Sequence, residues 1–452
     1  MTAAVAAPAF GRPPGPKGAP FVGSLFEMRR DPLGFFTSIA REYGDVVRFR
    51  VGPGEVYLVS HPDLVKEVLV TQQHRFMKGR GLQWAKHFLG EGLLTSEGDF
   101  HRRQRRLSQP AFHRQRIESY GTTMVELALR TRDRWVAGGE MALDREMMAL
   151  TMAIVGKTLF DADVEGEAEE IGASLTTVIS FFPRFNLPWA GLLQRLPLPS
   201  NRRFEGARDR LDATIYRIIA ERRQSREDRG DLLSMLLAAR DEEGDGTGMT
   251  DRQLRDELMT LFLAGHETTA NALSWTFYLL SQNPKAEARL IAEIDRVLAG
   301  RTPTVSDLPE LRYCEGVFAE SMRLYPPAWG LGRHALEDVP LGSWVVPKGA
   351  HVGVVPWVVH RDERFWPDPL RFDPERFSPE ARAARPKFAY FPFGGGARQC
   401  IGEPFAWMEG VLIVATIAQR WRLRLVAEHR VEPQALITLR PRYGMRMVAE
   451  AR

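Results

Sequence analysis

Phe393-Gly-Gly-Gly-Ala-Arg-Gln-Cys-Ile-Gly402 is the stretch on which the reading of this chain turns. Glycines at 394, 395 and 396 allow positive φ and the close approach of another group. Residues 401–421 carry a helical pattern, with Pro404 in the first turn, where its missing N–H costs nothing. Cys400 is therefore expected at a helix N-terminus, where the macrodipole and free amide donors favour a thiolate over a thiol. Arg398 stands two positions earlier, on the same side of an extended segment. A thiolate in a glycine-lined loop, with an arginine fork beside it, suits a metal carried in a planar, carboxylate-bearing macrocycle. The loop alone leaves a second reading open, because a lone cysteine is commonly a buried, inert hydrophobe. It lacks the Gly-Lys-Ser/Thr ending of a P-loop and does not match the dinucleotide fingerprint. A nucleophilic cysteine would need a histidine base, which spacing does not place.

Three further patterns bear on the choice. Thr250-x-x-Gln253 is a capping-box signature opening a helical stretch of roughly 30 residues, about 45 Å long. Within it, Ala264-Gly265-His266-Glu267-Thr268-Thr269 breaks the apolar pattern. Gly265 costs about 1 kcal/mol against alanine and is expected to open space for a flat ligand. Thr268 can bond back to the Ala264 carbonyl, so a glycine kink with back-bonded threonines also accounts for the hexapeptide. His101-x-x-x-Arg105 puts two donors on one helix face, able to share a carboxylate. Glu320-Ser-Met-Arg323 is an i, i+3 pair near the end of a helix stopped by Pro326-Pro327, and such pairs are ordinarily solvated.

The pattern Phe-Gly-x-Gly-x-Arg-x-Cys-x-Gly, complete at 393–402, resembles the haem-binding loop of the cytochrome P-450 superfamily, the haem-thiolate monooxygenases. The other motifs follow in that superfamily's order, from about residue 12 to about residue 446. The resemblance implies a mainly α fold with small peripheral β-sheets and a long central helix over the haem. It implies haem b (iron protoporphyrin IX), held non-covalently, since no Cys-x-x-Cys-His attachment motif is present. Cys400 is then the axial ligand of the iron. Phe393, Arg398, Ala264 and Gly265 lie against the haem, and Arg105, His101 and Arg333 bind its propionates. His101 stands where many members carry tryptophan. Glu267 and Thr268 correspond to the acid–alcohol pair that steers protons in oxygen activation. Glu320, Arg323 and Arg376 correspond to a structural triad that braces the cysteine loop.

The implied reaction puts one oxygen atom of O2 into a C–H or C=C bond of an apolar substrate, with two electrons from NAD(P)H. No flavin or nicotinamide module is visible, so a separate ferredoxin or flavodoxin with its reductase is expected. The arginine-rich stretch at 102–116 offers a basic docking patch for such a carrier. A haem-based gas sensor or carrier, and a peroxide-driven peroxygenase, are the alternatives; the Glu267-Thr268 pair argues against both. A cysteine hydrolase is more remote. Pocket candidates are the 76–97 segment, the apolar run 179–199 with Phe181 and Phe182, and Phe262, Trp329, Leu331 and Ile437. A lipid, terpenoid, steroid or aromatic substrate would suit them.

With 452 residues, 44% of them hydrophobic, the chain can bury a large core, and no linker or repeat divides it. The expected organisation is a proline/glycine-rich lead-in at 1–18 and one domain at 19–452. A net charge of +4 is small for this length and gives no argument for nucleic acid. Two cysteines are too few for a disulfide framework and fit a reducing compartment. No leader or apolar anchor is visible, so a soluble, cytoplasmic, monomeric enzyme of bacterial type is expected. A β-hairpin is expected at 45–60 around Gly52-Pro-Gly54, with further strands at 339–359 and 431–448.

Overall fold

Burial alternates along His351–Val354, while Val46–Val51 and Gly54–Val59 bury neighbouring residues in runs. The computed structural model describes residues 11–161, 172, 174–178, 181, 196–225, 227–241, 244 and 246–452. They form two compact units: one from Met1–Arg80, Gly330–Pro369 and Pro386–Gln399, the other from Gly81–Trp329, Leu370–Arg385 and Cys400–Arg452.

The first unit is built on a five-stranded sheet. Val46–Val51 and Gly54–Val59 form the expected antiparallel hairpin, turning at Gly52 with φ +59°. Gly54–Val59 runs parallel to His351–Val354. That strand pairs antiparallel with Leu331–Ala335, which pairs in turn with Phe76–Lys78. Val46, Tyr57, Val59, Val352 and Val354 bury against Val68, Leu69 and Phe391. The cysteine loop's glycines sit in this unit. Gly394 and Gly396 have φ of +76° and +68°, and a Cβ on Gly396 would lie 2.1 Å from the Leu69 carbonyl oxygen. Gly396–Arg398 forms a 3-10 turn, so Arg398 is not on the extended segment expected for it.

The second unit is helical around one central helix, Asp251–Gln282. Its start is the capping box seen in the sequence: Thr250 Oγ1 accepts from the Gln253 amide at 3.2 Å, and Gln253 Oε1 accepts from the Thr250 amide at 2.8 Å. Leu143–Phe160, Pro199–Ser225, Arg312–Leu324 and Glu403–Ala418 pack against it. Trp275, wholly buried, stacks on Tyr325 at 4.1 Å and donates Nε1–H to the Leu439 carbonyl. The helix after the cysteine begins at Glu403 rather than 401. Gly402 is its N-cap, and Pro404 fits only the first turn of a helix starting there. Cys400 thus precedes the helix by a short turn. Among the described residues no helix is long and apolar enough to cross a membrane.

Glu320 and Arg323, ordinarily a surface spacing, are both fully buried here. Arg323 Nε and Nη2 donate to the two Glu320 oxygens at 2.6 and 2.7 Å, and Nη2 also reaches the Arg371 carbonyl. The Asp373 amide donates to Glu320 Oε1 at 2.9 Å, and Arg376 Nε stands 3.4 Å from that oxygen. The group ties the Arg312–Leu324 helix to the 371–376 segment. Burial pushes the Glu320 carboxyl up against the pull of Arg323. Removing one partner strands a buried charge at about 3–5 kcal/mol. Glu320→Ala is expected to lower unfolding stability by that amount in urea titrations and to yield little haem-loaded protein. Normal stability would show that the fork contributes nothing net.

Candidate active site

The central helix is buried almost throughout from Leu254 to Leu280, but Ala264 is exposed and Gly265 and Thr268 are half-buried. At 100° per residue, Ala264 and Thr268 lie on one face. Thr268 Oγ1 donates to the Ala264 carbonyl at 2.8 Å. Gly265 does not open space in the way its sequence context suggested. A Cβ there would meet Val155 Cγ2 at 2.9 Å, so the missing side chain lets the Leu143–Phe160 helix approach. Phe262 points to the opposite face from Ala264, stacks on Phe160 at 5.8 Å, and lines a small apolar cavity with Ile215, Ile218, Leu258 and Met259. It is core packing on the far side of the helix.

Glu267 is buried but committed. Arg440 Nε donates to its Oε1 at 2.8 Å, and the Thr438 hydroxyl makes a short hydrogen bond to the same oxygen. Asn271 Nδ2 donates to Thr438 Oγ1 at 3.3 Å. Trp329 Nε1 donates to the Leu436 carbonyl at 2.9 Å and the Leu439 amide to the Pro327 carbonyl. Ile437, half-buried, therefore rides on a turn anchored at both ends. Neither Thr438 nor Arg440 was singled out from the sequence; more than 170 residues separate them from Glu267, and no local pattern marks the pair. Glu409, on the helix after the cysteine, was missed for the same reason. Burial pushes its carboxyl up to about 8 against the pull of Thr269, so it is mainly neutral at pH 7.

Cys400 is exposed, whereas Cys314 is buried and donates Sγ–H to the Val411 carbonyl. Burial lowers the Arg105 pKa, and the charge of Cys400 opposes that fall, so the guanidinium lies within electrostatic reach of the sulfur. His101 is buried on the same helix, Gly98–Ser108, its Nδ1 3.2 Å from Ser96 Oγ. In the other unit, Arg333 is buried and Nη1 donates to the Gly332 carbonyl, while Leu331 lies beside Gly394 of the loop. Phe393 and Arg398 are half-buried there. Phe181 packs on Phe204 with centroids 5.2 Å apart; Phe182 lies outside the described residues. The basic stretch is largely answered within the chain: Arg102 pairs with Asp99, and both Arg103 and Arg106 pair with Asp241.

An accessible cysteine with a half-buried arginine beside it, in the unit whose central helix opens at Ala264 and Thr268, has the donor set for a haem-thiolate centre. The family model for Cytochrome P450 matches residues 13–445. The chain is 43% identical to Cyclooctatin synthase of Streptomyces melanosporofaciens, over 97% of this chain and 95% of that protein. It is 39% identical to Cyclooctat-9-en-7-ol 5-monooxygenase of the same organism, over 91% and 89%. With Pentalenene oxygenase of Streptomyces avermitilis it shares 38%, over 94% of each chain. The chain belongs to the cytochrome P450 family. It is a monooxygenase of apolar substrates that uses non-covalent haem b, O2 and electrons derived from NAD(P)H.

The Glu267–Arg440 pair yields a direct test. Arg440→Leu leaves a buried carboxylate without its cation and is expected to cost about 3 kcal/mol in urea unfolding. Adding Glu267→Gln should recover most of that loss, since a neutral amide keeps the Thr438 contact. A double-mutant cycle with no coupling would show the pair to be energetically idle.

Proposed function

We propose that the enzyme inserts one oxygen atom of O2 into a C–H or C=C bond of a cyclic terpenoid, the other oxygen leaving as water. The relatives' names support that class: pentalenene is by name a cyclic alkene, and cyclooctat-9-en-7-ol a ring alcohol. The observation that carries the reading is the Ala264–Thr268 face, where the buried middle of the helix is opened. On this reading Cys400 is the axial ligand. Arg105 and His101 hold propionates, and the family pattern adds Arg333, Arg398 and Phe393 from the other unit. Residues 19–452 then work as one domain behind the lead-in at 1–18.

Bound through the Cys400 thiolate, haem b supplies oxygen activation, with electron donation from sulfur favouring O–O cleavage. The chain's own task is to handle protons and exclude water. The Thr268 hydroxyl, bonded to the Ala264 carbonyl, is held on the open face, where a small torsional change redirects its proton. The Glu267 carboxylate can relay a proton only when it loosens its hold on Arg440 or Thr438, so those two groups govern its availability. Electrons arrive from a ferredoxin or flavodoxin with its reductase. With Arg102 paired to Asp99 and Arg103 and Arg106 to Asp241, exposed Arg116 can contribute docking charge in that stretch. Two cysteines, too few for a disulfide framework, support a reducing, cytoplasmic setting.

Reduced protein under carbon monoxide should show the strongly red-shifted main absorption band of thiolate ligation, and Cys400→His should lose it. A Cys400→Ser protein that kept the band would overturn the ligand assignment.

Thr268→Ala should still bind haem and substrate, yet yield roughly tenfold less product per nicotinamide oxidised, the balance appearing as hydrogen peroxide. Unchanged coupling would leave Thr268 as a helix back-bonder only.

A further inference from the structure

Three consecutive residues of the central helix hold down the segment leading into the Gly98–Ser108 helix. Arg255 Nη2 donates to the Phe88 carbonyl at 2.9 Å, Asp256 Oδ2 accepts from the Glu91 amide at 2.9 Å, and Glu257 Oε2 accepts from the Leu93 amide at 3.0 Å. Glu257 Oε1 also accepts from Gln104 Nε2 at 2.9 Å, which ties in the helix that carries His101 and Arg105. The loop lies tight on the helix: a Cβ on Gly92 would be 2.3 Å from Thr260 Oγ1. At 100° per residue, Glu257 falls on the same face as Ala264 and Thr268, and about 10 Å along the axis from Ala264. The clamp thus covers the continuation of the face that opens at 264–268.

Glu257 is fully buried, and among the described residues it makes no ion pair. Arg255, the cation nearest in sequence, spends its guanidinium on Asp212, Asp256 and Phe88. The other charged or titratable groups around the clamp are Asp256 beside it, Glu91 paired with Lys86, Glu97 bonded to Gln83, and His101 and Arg105 on the helix below. A neutral side chain of the same shape would satisfy the loop without the cost of burying a charge. We propose that Glu257 is a positioning residue that keeps the clamp openable: its buried charge favours release of residues 88–97, giving substrate a way to the 264–268 face, and a proton on the carboxyl locks them down. The access role rests on the reading of that face as the active site; the clamp does not.

The direction follows from linkage. Burial raises the Glu257 carboxyl from 4.5 to about 7, against the pull of the Leu93 amide and Gln104, with Asp256 adding to the rise. An open clamp that wets the carboxyl restores the ordinary value, so the closed clamp binds the proton more tightly. Closure is therefore strongest below the ordinary value, weakens by up to about tenfold per pH unit toward 7, and is level above that.

Glu257→Gln in the haem-loaded protein tests this. Gln104 Oε1 has no partner among the described residues, and after an amide flip it can accept from the new carboxamide while the Leu93 amide keeps its acceptor. At pH 8, amide hydrogen exchange across 88–97, corrected for intrinsic rates, should be at least tenfold slower in the variant than in wild type; near pH 5 the two should agree. Wild type alone should lose protection in this segment between pH 5.5 and 7, which tests the clamp even if the variant folds poorly. Imidazole binding, followed by stopped-flow absorbance, should be at least tenfold slower in the variant at pH 8. Equal or faster exchange in the variant at pH 8, or a wild-type segment indifferent to pH, would overturn the clamp. Slower exchange with unchanged imidazole entry would overturn the access role. The carbon monoxide spectrum reports separately on the haem-thiolate reading.

Discussion

A 32-residue helix buried along most of its length must answer most of its polar side chains, and that constraint organises the second unit, buried Thr260 Oγ1 being left without a hydrogen-bond partner among the described residues. Arg255, Asp256 and Glu257 answer theirs with the 88–93 segment. The Thr151 hydroxyl donates to the His266 carbonyl, and His266 Nδ1–H donates to the Phe262 carbonyl, which fixes the tautomer of a ring that burial keeps neutral. Glu267 and Asn271 meet the 438–440 segment, and Trp275 meets Leu439. The same bonds that satisfy the helix therefore position the surrounding loops. The helix serves less as an apolar rod than as an axle of polar fastenings. The opened face at Ala264 and Thr268 is where the fastening stops.

What was legible in the sequence was local. The capping box, the 46–59 hairpin and the Thr268 back-bond each involve groups within a few residues, so spacing alone specified them. The cysteine loop was legible for a different reason: its glycines are needed by the backbone itself, as the contact between Gly396 and Leu69 shows. Illegible were the partners chosen in three dimensions. Arg440 for Glu267, Asp241 for Arg103 and Arg106, and Leu93 for Glu257 are joined across more than 100 residues. Nor did spacing show that the small size of Gly265 serves a neighbouring helix, through Val155. Glu320 and Arg323 reverse the usual expectation for an i, i+3 pair because Phe372 to Phe377 folds over them.

Charge placement follows one rule across the second unit. Where a buried carboxylate has a guanidinium fork, as Glu320 has Arg323, the pair holds two segments in fixed register. Desolvation raises the Glu320 carboxyl as it raises those of Glu257 and Glu409, but Glu257 has only neutral donors and Glu409 little more than a hydroxyl, and these two retain the proton toward neutral pH. The first arrangement suits a brace. The second suits a place where protons or loops must move: Glu257 sits on the central helix and meets Gln104, and Glu409 faces that helix at Thr269.

The two cysteines show the same physics in one residue type. Cys314 sits wholly buried, its sulfur donating to a backbone carbonyl, and desolvation first, then Glu293 and Glu315, drive its thiol well above the usual range. It is held as a thiol and cannot be a ligand. Cys400 lies in the open just before a helix, with the charge of Arg105 in reach. A guanidinium in electrostatic reach favours a thiolate over a thiol. The local sequence around Cys314 is an ordinary helix; that around Cys400 carries Gly394, Gly395 and Gly396 with Arg398 just before the sulfur. The difference in environment, rather than the residue itself, separates the two cysteines and suits Cys400 to the ligand role proposed for it.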